Sequence, residues 1–185
     1  ASIAKKSHQR ASLILRCFKC RNPVLLTKAY LVYVRPLLEY CSPVWSPVYI
    51  KDIALLESVQ RRFTKRITGM NDLNYLQRLE TLNLETLESR RLKTDLITMF
   101  KILNNLIDID FHNFFSLSTV ANTRGHRFKL IKPVCKSNIR LFSFSCRRID
   151  CWNSLPENLV NCKSLHEFKS RLNSVNFSKH LILTF

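Results

Sequence analysis

The sequence predicts a mainly α-helical protein, and three observations carry that prediction. Glycine is confined to Gly69 and Gly125 in 185 residues. The tight hairpins, phosphate-cradling loops and dinucleotide fingerprints that depend on glycine are therefore disfavoured. Apolar residues recur at three-to-four spacing, most clearly Ile53, Leu56, Val59, Phe63 and Ile67. Asn22-Pro23, Pro36, Gly69 and Asn153–Pro156 punctuate the apolar runs where helices should begin, break or end. Hydrophobic residues make up 46% of the chain, enough for a core in one domain or two small ones.

Taken in order, residues 1–21 read as a basic helix with Leu13, Ile14, Leu15 and Phe18 apolar. Residues 24–40 read as an apolar helix that Pro36 kinks or splits, because proline removes an internal hydrogen bond. Pro43 and Pro47 predict an extended connector, with Trp45 and Tyr49 packed down onto the helices. Residues 52–68 form the clearest helix, with Asp52 as N-cap and Gly69 as the residue that ends it. Shorter and longer helices follow at 72–82, with Leu73, Leu76 and Leu79 inward, and at 86–106, with Leu92, Leu96, Met99, Phe100, Leu103 and Leu106. Residues 107–123 read as a loop around Phe111, Phe114 and Phe115. Residues 126–132 read as a short strand or extended arm, and 139–152 as a helix that Trp152 anchors and Pro156 stops. Ser164 and Glu167 have capping-box spacing and open a last helix with Leu165, Phe168 and Leu172 inward.

Charge is the strongest signal about partners. Thirty Lys and Arg against thirteen Asp and Glu give a net charge of +17. Such a surplus repels itself unless a polyanion shares the surface. Acids are missing altogether from residues 1–21 and from 123–149. Arg61, Arg62, Lys65 and Arg66 cluster opposite the apolar stripe of their helix, a phosphate-gripping pattern. A second candidate is the arm with Arg124, His126, Arg127, Lys129 and Lys132, continued by Lys136 and Arg140.

Chemistry-bearing patterns are weak. Cys17-x-x-Cys20 lacks the further nearby ligands of a zinc knuckle, and buried free thiols are the expected reading. Asp108-x-Asp110 has no third acid close by for two-metal catalysis. No metal site, cofactor or catalytic residue is expected in this chain. No signal peptide is evident and no apolar run is long enough to span a bilayer, so no membrane contact is expected. The cysteines then read as reduced thiols of an intracellular protein, nuclear or cytoplasmic. The opening Ala1-Ser2-Ile3, without an initiator Met, reads as a fragment.

Five segments in order carry a resemblance. They are KAYLVYVRPLLEYCSPVWSP, KDIALLESVQRRFTKRITGM, LNLETLESRRLKTDLITMFKILNN, TRGHRFKLIKP and FSFSCRRIDCWNSLPENLVNCKSLHEFKSRL, preceded by the basic KKSHQRASLILR. Together they resemble the post-palm region of reverse transcriptases from jockey-like non-LTR retrotransposons, over nearly the whole chain. The resemblance implies a thumb-like helical region over 1–106 and a smaller C-terminal extension, α with a short β element, over 107–185. It implies that the catalytic aspartates and their Mg2+ belong to a palm outside this chain. It also implies RNA and DNA backbones, and the palm and fingers, as partners. The cations of VQRRFTKRI would grip nucleic acid, as would Arg124 and His126 of TRGH. Pro36, Trp45, Gly69, Trp152 and Pro156 would be structural. The alternative expectation is a scaffold docking on other polymerase domains or on an acidic protein, or a domesticated or decayed copy.

Overall fold

The structure, a computed structural model, describes residues 2–118 and 126–183. The fold is mainly α, as the glycine scarcity and apolar periodicity predict. The chain divides into two compact units, Ala1–Arg91 with Leu181–Phe185, and Leu92–His180. The sequence reading placed its boundary between 106 and 107; the units part instead inside one long helix.

In the first unit, helix α1 (Ser2–Cys17) buries Ala4, Ser7, Ala11, Ile14 and Leu15. Leu13, expected among the apolar set, is exposed, because it lies off the face that Ala4, Ala11 and Leu15 define. Asn22 caps α2 (Pro23–Tyr33), accepting the Val24 and Leu25 N–H groups at 2.9 and 3.2 Å. The expected break occurs: α2 ends before Val34, and Pro36 sits in the first turn of α3 (Arg35–Glu39), where its missing N–H costs nothing.

The proline-rich connector departs from expectation. Ser42–Trp45 forms a helical turn, α4, because Pro43 occupies a first-turn position that favours its fixed φ. Trp45 packs partly buried against the core and donates its indole N–H to the Tyr40 carbonyl. Tyr49, expected to pack down as well, is exposed.

Helix α5 (Ile50–Lys65) starts before Asp52, with Tyr49 at the N-cap and Asp52 inside the first turn. The whole predicted stripe from Ile53 to Ile67 is buried. Burying one such side chain is worth about 1.5–3 kcal/mol, and the stripe makes α5 the spine of the unit. Around it, α1 packs against α2, α3 and α5. Gly69 does not terminate α5; Arg66 is the C-cap, and Gly69 lies beyond it with φ +79°, in the turn leading to Met70.

Helix α6 (Tyr75–Thr81) has an Asn74/Gln77 capping box. It turns Tyr75, Arg78 and Leu79 inward and Leu73 packs half-buried on the core, so of the three leucines predicted inward Leu76 alone is exposed. The cause is polar: Tyr75 and Arg78 enter a buried network with α5. Tyr30 donates to Gln60 at 2.9 Å, and Gln60 donates to the Tyr75 hydroxyl at 3.0 Å and to the Glu85 carbonyl at 2.9 Å. Tyr75 in turn donates to Glu57. Arg78 donates to Thr64 at 3.3 Å and to the Leu73 carbonyl at 2.6 Å.

Helix α7 (Leu87–Leu103) begins in the first unit and contributes Leu92, Leu96, Met99, Phe100 and Ile102 to the core of the second. Leu106, predicted inside, lies past its end and is exposed. Phe100 stacks on Phe168 at 4.2 Å, and Trp152 packs against Phe168 at 6.2 Å. Phe111, Phe114 and Phe115 cluster as expected, joined by Phe144. Of the expected short strand or extended arm, one antiparallel bridge between Leu117 and Leu130 forms among the described residues.

Residues 139–152 do not form one helix. Three short ones replace it: α8 (Asn138–Leu141), α9 (Phe144–Arg147) and α10 (Ile149–Asn153). Ser137 caps α8, and the chain re-aims at Ser143 and Arg148 so that Cys146, Ile149 and Trp152 all face inward. Trp152 is fully buried and its indole donates to the Phe128 carbonyl at 3.0 Å. Pro156 follows the Ser154 cap of α10 and is itself the N-cap of α11 (Glu157–Val160), which keeps the two helices separate. Ser164 caps α12 (Leu165–Leu172), accepting the Glu167 N–H at 3.1 Å. The Glu167 carboxylate takes the Lys163 N–H rather than that of Ser164, so only half of the predicted box forms.

Candidate nucleic-acid interface

The C-terminal half of α5 carries the densest exposed positive charge expected from the sequence. Arg61, Arg62, Lys65 and Arg66 are all exposed, with Phe63, Thr64 and Ile67 buried behind them. The helical period accounts for Arg61 and Lys65, which lie opposite Leu56, Val59 and Phe63; Arg62 flanks that face, and Arg66, the C-cap residue, is exposed where α5 ends. Cations also suit the partial negative charge at a helix C-terminus. Arg62, Lys65 and Arg66 form no ion pair among the described residues.

Two grooves flank this ridge, and sequence reasoning found neither. On the α1 side, Lys5, His8, Ser12 and Arg16 face Leu55 and Arg62 across a cleft of about 640 Å³. On the α6 side, Arg61, Lys65 and Arg78 surround Asn74 and Tyr75 in a cleft of about 480 Å³. Neither lining contains a carboxylate. The Arg61 guanidinium lies 5.0 Å from the Tyr75 ring centre, and Arg78 lies 5.6 Å from it. These cation–π contacts hold both guanidinium groups in place. His8 meets Ser58 at 3.1 Å, and burial together with nearby Arg62 lowers its pKa, so it is mostly neutral at physiological pH. The four-and-three spacing of Lys5, Gln9, Ser12 and Arg16 marks one helical face in the sequence. Only the packing of α1 on α5 brings that face beside Arg62.

The second candidate, in the other unit, is partly taken apart by the structure. His126 is 1% exposed and its Nε2 meets the Trp152 carbonyl at 3.1 Å, so it is a packing residue and not a surface phosphate contact. Lys132 pairs with Asp150. Arg147 and Arg148, from the same acid-free stretch, both bind the buried Asp95 carboxylate, at 2.7 and 3.2 Å. The stretch lacks acids in sequence, yet folding brings one to it from α7. Arg127 remains exposed with its guanidinium 5.0 Å from the Phe128 ring centre, Lys129 is half-buried, and Lys136 and Arg140 are exposed. Arg124 lies outside the described residues, as does Gly125.

Among the described residues, no group of three or more His, Cys, Asp or Glu side chains is arranged to hold a metal. Cys17 and Cys20 are exposed free thiols, not the buried ones expected. Asp110 caps a 3-10 turn, accepting the His112 N–H at 3.0 Å, as befits a loop acid. No described helix is long and apolar enough to cross a membrane.

No family model matches the chain, and no solved structure matches it. A Caenorhabditis elegans protein described as uncharacterized is 26% identical over 124 residues, which cover 65% of this chain and 60% of that protein. The chain therefore spans less than two thirds of the length of this curated relative.

Proposed function

We propose that the chain is a non-catalytic, nucleic-acid-gripping portion of a reverse transcriptase from a non-LTR retrotransposon, lying after the palm. The observation that carries this reading is the exposed cation ridge of α5, bordered on both sides by clefts without carboxylates. Such a ridge neutralises successive phosphates and releases their counterions, which gives affinity without sequence preference. The partners are template RNA and nascent DNA, held by their backbones, together with the palm and fingers of the polymerase. The reacting aspartates and their Mg2+ belong to that palm, so the chain alone extends no primer. The protein works inside the cell, in nucleus or cytoplasm.

The reading is tested by filter binding of the whole chain to RNA across a salt series. Binding in the micromolar range at low salt is expected, with a steep salt slope. Neutralising Arg61, Arg62, Lys65 and Arg66 together should reduce that slope by about 3, since each phosphate contact on a single strand contributes about 0.7. Replacing Lys5 and Arg16 with alanine should reduce it by a further 1 to 2, by the same approximate arithmetic. Retention that ignores salt, or that survives loss of the whole ridge, would instead point to a scaffold that docks on protein.

A further inference from the structure

We propose that Cys135 and Cys146 form an intramolecular disulfide when a peroxide oxidises the protein. The two sulfurs are 3.9 Å apart, in contact but not bonded, and both thiols are free. They belong to the same compact unit, Leu92–His180.

The two cysteines are held differently. Cys146 is buried in α9, where its N–H donates to the Ser143 carbonyl at 3.0 Å and its sulfur lies against the Ser145 hydroxyl at 3.8 Å. Cys135 is half-exposed, in a segment without regular secondary structure between Ile131 and the Ser137 cap of α8. Its neighbours Pro133, Val134 and Lys136 are all exposed. A disulfide requires the sulfurs to meet at about 2.05 Å, so roughly 1.9 Å of approach is needed. The exposed segment can supply that approach, while Cys146 stays fixed by its helix. Cys151 and Cys162, the other cysteines of this unit, are buried.

The chemistry balances with one peroxide. Burial and the adjacent Cys146 sulfur raise the Cys135 pKa, so the reacting species is the minor thiolate fraction: it attacks a peroxide oxygen, the O–O bond breaks, and the departing hydroxide takes up the thiol's proton as water. The Cys135 sulfenic acid that results is displaced by the Cys146 sulfur; the S–S bond forms, the S–O bond breaks, and a second water leaves. Two thiols are oxidised and one peroxide is reduced to two waters. A small-molecule thiol reverses the step by exchange. The closed ring encloses Lys136 and Arg140, two exposed cations of the second basic candidate, and restrains the segment that carries them.

The test treats the whole chain with hydrogen peroxide, alkylates the remaining thiols under denaturing conditions and digests with trypsin. The expected product is a linked pair of peptides containing Cys135 and Cys146, lighter than their sum by two hydrogens and separated by dithiothreitol. Tryptic cleavage after Lys136 and Arg140 in the native oxidised protein should slow several-fold. Cys135→Ser, at a half-exposed position, should abolish the linked pair while leaving the helical circular dichroism unchanged. Cys146→Ala should abolish it too, and the serine variant decides the matter if the alanine variant unfolds. The proposal is overturned if peroxide oxidises Cys17, Cys20 or Cys41 while Cys135 and Cys146 remain fully alkylated. It is equally overturned if Cys135 appears only in disulfides between molecules.

Discussion

The Glu57 carboxylate of α5 accepts the Leu87 N–H at 3.0 Å, so a side chain thirty residues upstream caps the first turn of α7. Its oxygens also take the Tyr75 hydroxyl, which links the cap to α6 and, through Gln60, to Tyr30 on α2. An anion is favoured at a helix N-terminus, which offers unpaired N–H groups and partial positive charge. One buried carboxyl thereby joins helices that the basic ridge depends on for its position.

Glu57→Ala should destabilise the protein by about 2–3 kcal/mol, since it strands a helix N-terminus and a buried hydroxyl. Burial raises the Glu57 pKa above its ordinary 4.5 despite the hydrogen bonds and Arg91 that oppose the rise. The folded state therefore holds the proton more tightly than the unfolded chain. Its contribution is complete below 4.5 and is lost as pH rises through the raised value. Thermal denaturation across this window should show the wild type losing stability relative to Glu57→Gln as pH rises. Parallel curves for the two proteins would remove Glu57 as the titrating group.

Asp95 is completely buried and meets Arg147 at 2.7 Å and Arg148 at 3.2 Å. Asp95→Ala leaves two guanidinium groups without their counter-charge in the interior, at a cost of about 3–5 kcal/mol. Arg148→Ala, which keeps the better-buried Arg147 pair, should cost clearly less. Chemical denaturation of the three proteins ranks them directly. If Arg148→Ala proved as damaging as Asp95→Ala, the stranded-charge account would be wrong.

His126 titrates in the opposite sense to Glu57. Burial lowers its pKa below 6.5, against the Trp152 carbonyl that favours its protonated form. The unfolded chain therefore binds the proton more readily, and stability present above 6.5 is lost as pH falls through the lowered value. His126→Gln, which can still donate to Trp152, should show a weaker loss on acidification than the wild type. Circular-dichroism melts on either side of 6.5 check this; identical acid sensitivity in both proteins counts against it.

Local sequence determined the helical character, the buried stripe of α5, the break before Pro36 and the exposure of Arg61 and Lys65. Each follows from periodicity or from proline's missing N–H, which act within a few residues. Tertiary structure alone decided which cations stay exposed and which are neutralised. The stretch holding Arg147 and Arg148 has no acid of its own, but α7 delivers Asp95 to it from some fifty residues away. His126 reads as a surface residue among basic neighbours, yet packing against Trp152 buries it. Lys5 and Arg16 join Arg62 only because α1 lies on α5. Periodicity assigns a residue to a face; the partner that covers or completes that face comes from distant parts of the chain, through packing and burial that no local pattern encodes.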